Sequence, residues 1–382
     1  MTNRLTSGSM LIDRKTFGPA VNVAVSFRLL SLFSDDSEKF DDDAFRSGMY
    51  QRAHLLGDED PENWAFGTPT MPSDLVVIIG DDDPANLALP LKDIEDICGL
   101  VPVFSQDCAQ LPDDKEHFGF KDNISQPQLS GLSHLLNKDP ESEIDEIQVG
   151  EFVFGYPKEA DKSHSIGTEK PAFPAWAMNG SYCAIRRLRQ RVGRFHSFVS
   201  REAVRRNIDP LQLASQIVGR YPNGTKVSRP ANLENPRTPT THIEKMNPKD
   251  VRSRQGLDIP NDFDNRKHRI LRRGVPFGPK SSSTFDTPVE DDVDRGLMFV
   301  CYQSSIMNQF EFVQKRWANE VNFPRGNGGM DAIIGQAHSG ELRMLRLGNE
   351  PQMIMTGEKW VLMTGGDYFF SPSMDTWKMF LE

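Results

Sequence analysis

Val21, Val23, Val25 and Phe27 alternate with smaller or polar residues in VNVAVSF, the period of a strand with one buried face. DLVVIIG, Asp74 to Gly80, is an unbroken apolar run closed by Gly80 and Asp81, and so predicts a strand buried on both faces. GEFVFGYP (Gly150 to Pro157) and GLMFVCY (Gly296 to Tyr302) predict further strands from their aromatic and β-branched content. Helical spacing is equally clear elsewhere. Asp209 can cap a helix with Pro210 at its first position and Leu213, Ala214 and Ile217 on its inner face, before the turn Pro222-Asn223-Gly224. Ile306, Phe310, Val313 and Trp317 recur at intervals of four, three and four, which aligns them on one helix face. Strands and helices interleave without regular βαβ spacing, so an α+β fold with an antiparallel sheet is predicted. Residues 221–241 are rich in Pro, Asn and Thr without apolar periodicity, and predict a connection between two halves, 1–220 and 242–382.

A chain of 382 residues with 37% hydrophobic and 26% charged residues has the composition of a globular protein and length enough to enclose a ligand. A net charge of −10 disfavours nucleic acid and anionic lipid as partners. No run approaches the ~20 apolar residues of a membrane span, and the first residues lack a signal-peptide pattern, so cytoplasmic residence is expected. Residues 1–20 carry no clear pattern. Cys98, Cys108, Cys183 and Cys301 are too scattered for a zinc site or a disulfide framework. The acidic stretch SDDSEKFDDD lacks the spacing of a calcium loop and predicts a solvated loop. RRLRQRVGR, Arg186 to Arg194, predicts a solvated basic face in so acidic a chain, and the glycines of PRGNGG predict a loop with no dinucleotide fingerprint.

Three segments can carry chemistry. In EHFGFKDNISQPQLSG, Asp122 stands in a loop-forming sequence bounded by apolar residues. Alone it reads first as the Asp of an Asx-turn, and as a general acid–base group if it faces a dry cavity. In TTHIEKMNPK, His242 follows the connection; a histidine there is a metal ligand or a structural residue. In HRILRRGVPFGP, Arg272 and Arg273 lie among Ile270, Leu271, Val275, Pro276 and Phe277, a setting that requires an anionic partner.

Together these segments resemble the dye-decolourising peroxidase family, with its Gly-x-x-Asp-Gly, His-Ile-Arg-Lys-x-Asn-Pro-Arg and Arg-x-Gly-x-Pro-Tyr/Phe-Gly patterns. GMYQRAHLLGD, GEFVFGYP, NGSYCAIRRL, LASQIVGRYP, NQFEFVQKRW and GGDYFFSPS follow that family in its order from about residue 45 onward. The resemblance implies two ferredoxin-like halves, each an antiparallel sheet with peripheral helices. It implies haem b as cofactor, with hydrogen peroxide and small aromatic one-electron donors as substrates, a ferryl intermediate, and a homo-oligomer at the family level. Carried over by position, His242 is the proximal iron ligand, Asp122 the distal acid–base residue and Arg272 the distal arginine. Glu311 is the candidate to hold the other nitrogen of His242, Lys245 to meet a haem propionate, and Phe277 to contact the cofactor. An aspartate is a weaker base than a histidine, so an acidic optimum is expected. A deferrochelatase-like protein that binds haem or releases its iron is the alternative on the same fold. The sequence departs from the family at Asn123, in place of the second glycine, and at Glu244 and Lys249, in place of arginines. Asn235 stands where the family has a cysteine. Trp64, Trp176, Trp317, Trp360, Trp377 and Tyr302 are available as electron relays or as core aromatics.

Overall fold

The computed structural model describes residues 19–99, 102–122, 124, 126–131, 146–159, 172–227, 241–248, 265–323, 329–336, 343–346, 353–356 and 358–381. Asn123, Asn235, Lys249 and most of PRGNGG lie outside these, as does 228–240 of the expected connection.

The strands in chain order are β1 (Ala20–Val25), β2 (Leu75–Gly80), β3 (Gln128–Leu129), β4 (Glu146–Ile147), β5 (Ser181–Gln190), β6 (Leu271–Arg272), β7 (Val275–Phe277), β8 (Gly296–Gln303), β9 (Arg343–Arg346), β10 (Met353–Thr356) and β11 (Val361–Ser371). The main sheet runs β2-β1-β11-β5-β8-β6, with β7 also on β8, and all its pairings are antiparallel. It takes strands from both sides of the expected connection, and β11 enters between β1 and β5.

Val21, Val23 and Val25 are buried as their alternation requires, whereas Phe27 opens the helix α1 (Phe27–Phe33) under a Ser26 cap. β2 departs from expectation. It is the edge strand, and its residues are half-exposed along most of its length, so its apolar run is covered less than a central strand would be. GEFVFGYP is not a strand. Val149–Glu151 is a turn of 3-10 helix, and Phe152 and Phe154 are instead buried side chains of the irregular segment that follows.

The helices that follow are α2 (Asp43–Ser47), α3 (Met49–Leu56), α4 (Ala88–Cys98), α5 (Val192–Arg206), α6 (Pro210–Val218), α7 (His242–Met246) and α8 (Met374–Leu381). Asp209 caps α6 by accepting from the Gln212 N–H at 2.9 Å, and Leu213, Ala214 and Ile217 are buried. The stretch 306–318 is helical with Ile306, Phe310, Val313 and Trp317 buried, but Ile306–Phe310 and Val313–Ala318 are π-helical turns. Such widened turns recur at functional sites, and Val313, Gln314 and Trp317 line the cavity described below.

The acidic stretch is not merely solvated. Asp42 is buried; its Oδ1 accepts from the Ala44 and Phe45 N–H groups at the start of α2. Its Oδ2 accepts from Ser305 Oγ and from the Ile306 and Met307 N–H groups at the start of the π-helical segment. One carboxylate thus satisfies the open donors of two helices.

The arginine run is not a solvated face either, because successive side chains of a strand point to opposite faces. On β5, Arg186, Leu188 and Gln190 face a large cavity. Arg187 is buried and pairs with Asp294, with its guanidinium 4.2 Å from the centre of the Phe277 ring. Trp64 and Trp360 are buried core residues, and Trp176 and Trp377 pack against the core. Trp317 alone of the tryptophans among the described residues lines the cavity.

Candidate active site

The cavity is bounded on one side by the sheet, through Arg186 and Leu188 of β5, Arg272 of β6 and Leu297 and Phe299 of β8. On another side it is bounded by His242, Ile243 and Met246 of α7 with Val313 and Trp317. Its volume is about 240 Å³; one buried water needs ~10–15 Å³ on a comparable count, so the space is of ligand size. Mostly apolar walls with a few converging polar groups are the mark of a binding site.

Asp122 reaches this cavity at the end of a tight hairpin. The Asp122 N–H donates to Asp114 O at 2.9 Å, the Glu116 N–H to Phe120 O and the Gly119 N–H to Glu116 O, both at 2.9 Å. Gly119 takes φ +96°, a conformation that costs glycine least. The carboxylate of Glu116 sits inside the turn and accepts from the Phe118 and Phe120 N–H groups and from Gln190 Nε2. Burial pushes Glu116 up to about 7 against these bonds, with the nearby Asp122 acting in the same direction as burial.

Arg272 lies beside this hairpin, its Nη1 3.7 Å from Asp122 Oδ1, with both side chains partly exposed. Its Nη2 donates to Ile124 O at 2.9 Å. Gln126 clasps the Arg272 backbone, accepting from its N–H and donating to its C=O at 3.2 Å each. The aspartate loop is thereby fastened to β6.

His242 is the first residue of α7. Thr241 caps that helix by accepting from the Glu244 N–H at 3.2 Å, and Glu244 Oε2 accepts from the Thr241 N–H at 3.3 Å. This is a reciprocal capping box, so Glu244 serves the helix rather than the ligand. α6 ends beside it at Gly219, φ +101°, where a Cβ would stand 2.6 Å from Thr241 Oγ1.

The imidazole is oriented by a residue that sequence reasoning missed. His242 Nδ1 lies 3.0 and 3.1 Å from the two oxygens of Asp331, whose side chain is fully buried. Oδ1 also accepts from the Ile333 and Ile334 N–H groups. Burial pushes Asp331 up, but His242, the Ile334 N–H and Lys245 outweigh it and hold the carboxyl below its usual range. An ionised carboxylate only accepts; Nδ1 therefore carries a proton, and of the two ring nitrogens Nε2 is the one left to meet a ligand.

Three expected roles are corrected. Glu311 does not hold His242: its fully buried carboxylate pairs with Arg52 and Lys315 and accepts from Tyr368 Oη at 3.1 Å, and the imidazole Nδ1 is held by Asp331 instead. Lys245 is almost wholly buried, and its Nζ donates to the carbonyls of Glu320, Phe323 and Gly329 at 2.5–2.9 Å. It is therefore unavailable to a propionate. Phe277 lies under Arg187 and offers its carbonyl to His117 Nε2 at 2.9 Å; it does not line the cavity.

Among the described residues no three His, Cys, Asp or Glu side chains are grouped to hold a bare metal ion. A metal at His242 would have to bring other ligands with it. A haem does so, and an apolar slot holding one histidine, tied at Nδ1 as metal-bound histidines are, fits such a group.

Residues 156–324 match the profile of the Dyp-type peroxidase C-terminal domain. Peroxidase 2 of Mycetinis scorodonius is 30% identical over 93% of this chain and 75% of that protein. The structure superposes on an ancestral D-type dye-decolourising peroxidase with a TM-score of 0.78 and 27% identity, over 99% of this chain and 90% of the other. A deferrochelatase of Yersinia pestis is 31% identical over only 39% of this chain and 30% of its own length. The antiparallel sheet with peripheral helices is the ferredoxin-like α+β fold of these enzymes. The chain belongs to the dye-decolourising peroxidases, a family of haem-dependent oxidoreductases.

Proposed function

We propose that this chain is a haem b peroxidase that reduces hydrogen peroxide and oxidises dyes, phenols or other small aromatic donors one electron at a time. The observation that carries this reading is that Asp122 and Arg272, 3.7 Å apart, share a cavity with a histidine whose Nδ1 is held by a buried carboxylate. When bound, the haem supplies the iron at which peroxide reacts and the oxidising equivalents passed to donors. His242 would hold the haem iron through Nε2, and the charge on Asp331 at Nδ1 would strengthen the imidazole's electron donation. Asp122 would take a proton from one oxygen of peroxide and deliver it to the other, the one that departs as water. Arg272 stabilises the negative charge that gathers on that departing oxygen. Gln126 and the hairpin keep the two side chains together, so their geometry is set before peroxide arrives. With an aspartate as base, activity is expected to be greatest in acid solution.

The test is single-turnover reaction of the purified, haem-loaded protein with peroxide. Asp122→Asn is expected to slow it by about 10²- to 10⁴-fold at acid pH while leaving haem bound. A variant that reacts at the original rate removes Asp122 from this role. A haem-loaded parent protein that does not react with peroxide replaces the proposal with haem handling.

A further inference from the structure

The chain carries a net charge of −10, yet the cavity is lined by Lys121, Arg186, Arg220, Arg269 and Arg272 against Glu116 and Asp122. A cationic lining in an acidic protein selects an anionic ligand. Most of these cations are engaged: Arg272 faces Asp122 and Ile124 O, and Arg220 Nη1 donates to Gly224 O at 2.7 Å.

Arg186 differs. Its side chain is 3% exposed. Its Nη2 pairs with Asp58 Oδ1, while its Nη1 has no hydrogen-bond partner. A buried arginine and carboxylate usually close two parallel bonds; here the pair meets at one corner, and Asp58 Oδ2 is also left over. An unmet donor on a buried charged group is unfavourable, and a partner for it is favoured accordingly. The residue sits in the floor of the cavity. On the sheet it is opposite Phe299 of β8, which also lines the cavity, and its guanidinium lies 5.8 Å from the centre of the Phe310 ring. Lys245, the cation expected to meet an acidic ligand group, is held by three carbonyls.

We propose that the unpaired Nη1 of Arg186, a buried atom of a residue that lines the cavity, binds a carboxylate of the ligand there, which, resting on the function proposed above, is a propionate of the haem. Asp58 orients the guanidinium from behind, and the ligand carboxylate completes the second half of its fork. The dicarboxylic macrocycle is then recognised by charge as well as by the axial histidine.

The full-length protein can be titrated with haem and with haem dimethyl ester, whose propionates carry no charge, following the Soret band and the quenching of tryptophan fluorescence. The parent protein is expected to prefer haem over the ester by roughly 10- to 100-fold. Arg186→Met is expected to lose about tenfold of that preference while still binding the ester. Because that change strands Asp58, the double variant Asp58→Asn/Arg186→Met is measured beside it. Full retention of the preference in either variant overturns the role of Arg186. Equal binding of haem and ester by the parent overturns it too, and leaves the haem reading intact. Failure of the parent to bind either ligand overturns both.

Discussion

The tautomer of His242 is settled by a carboxylate 89 positions away in the chain. Asp331 is held by two backbone N–H groups on Oδ1, so its orientation does not depend on the imidazole alone, and the ring conforms to it. Asp331→Asn keeps the shape but brings a donor to a place where only an acceptor works, so the ring can bond only with Nδ1 deprotonated. We expect 10- to 100-fold weaker haem retention or peroxide reactivity, measured by transfer of haem to a competing acceptor and by stopped flow. Unchanged values in both assays would remove Asp331 from the site. Asp122, His242 and Arg272, which line one cavity, could be singled out because each stands in a local pattern of several fixed residues. Asp331 was not, because GGMDAIIG shows no periodicity or motif and its partner comes only with tertiary folding. Glu311 drew the assignment instead through its place on an apolar helix. It is indeed buried, but what buries it is Arg52, on α3.

At the scale of elements, sequence period predicted β1, β8, α6 and the buried face of 306–318, since each has its alternation written in neighbouring residues. It failed for β2 and for GEFVFGYP. A short apolar run does not say whether it lies at the edge or centre of a sheet, and aromatic content alone does not distinguish a strand from a packed turn. Asp42 illustrates what local reading misses. In sequence it is one of several acidic residues; in the fold it caps the start of α2 and the start of the helix that carries Trp317 to the cavity. Asp42→Ala opens donors at both helix ends, and each cap is worth about 0.5–2 kcal/mol. A loss of about 1–4 kcal/mol is expected in denaturant titration, whereas no measurable loss would mean that water replaces the caps.

For the molecule as a whole, burial of Glu116 couples the site to stability. Folding raises its pKa from 4.5 to about 7, so the folded state binds this proton more tightly than the unfolded chain does. Its contribution is complete below about pH 4.5 and lost as pH rises through 7, an effect on the order of 3 kcal/mol. Asp367, pushed up by burial to about 6, acts in the same direction. Glu116→Gln cannot titrate. Comparing unfolding midpoints at pH 5 and pH 8, the parent should lose roughly 3 kcal/mol more than the variant across that interval. Parallel pH slopes would show that the hairpin relaxes enough to hydrate the carboxylate.

The position of β11 between β1 and β5 also bears on how the protein is made. Residue 361 must pair with residue 190, and residue 370 with residue 25, so the centre of the sheet cannot close until nearly all of the chain described has left the ribosome. Until then β1 and β5 each expose an unpaired edge, a condition that invites wrong partners. Contacts so distant in sequence make for slow folding. Of the cavity's sheet wall, β5, β6 and β8 can pair with one another earlier, so what waits for β11 is the last piece of lining, Val361, and the strand that backs Arg186 from the other edge of β5.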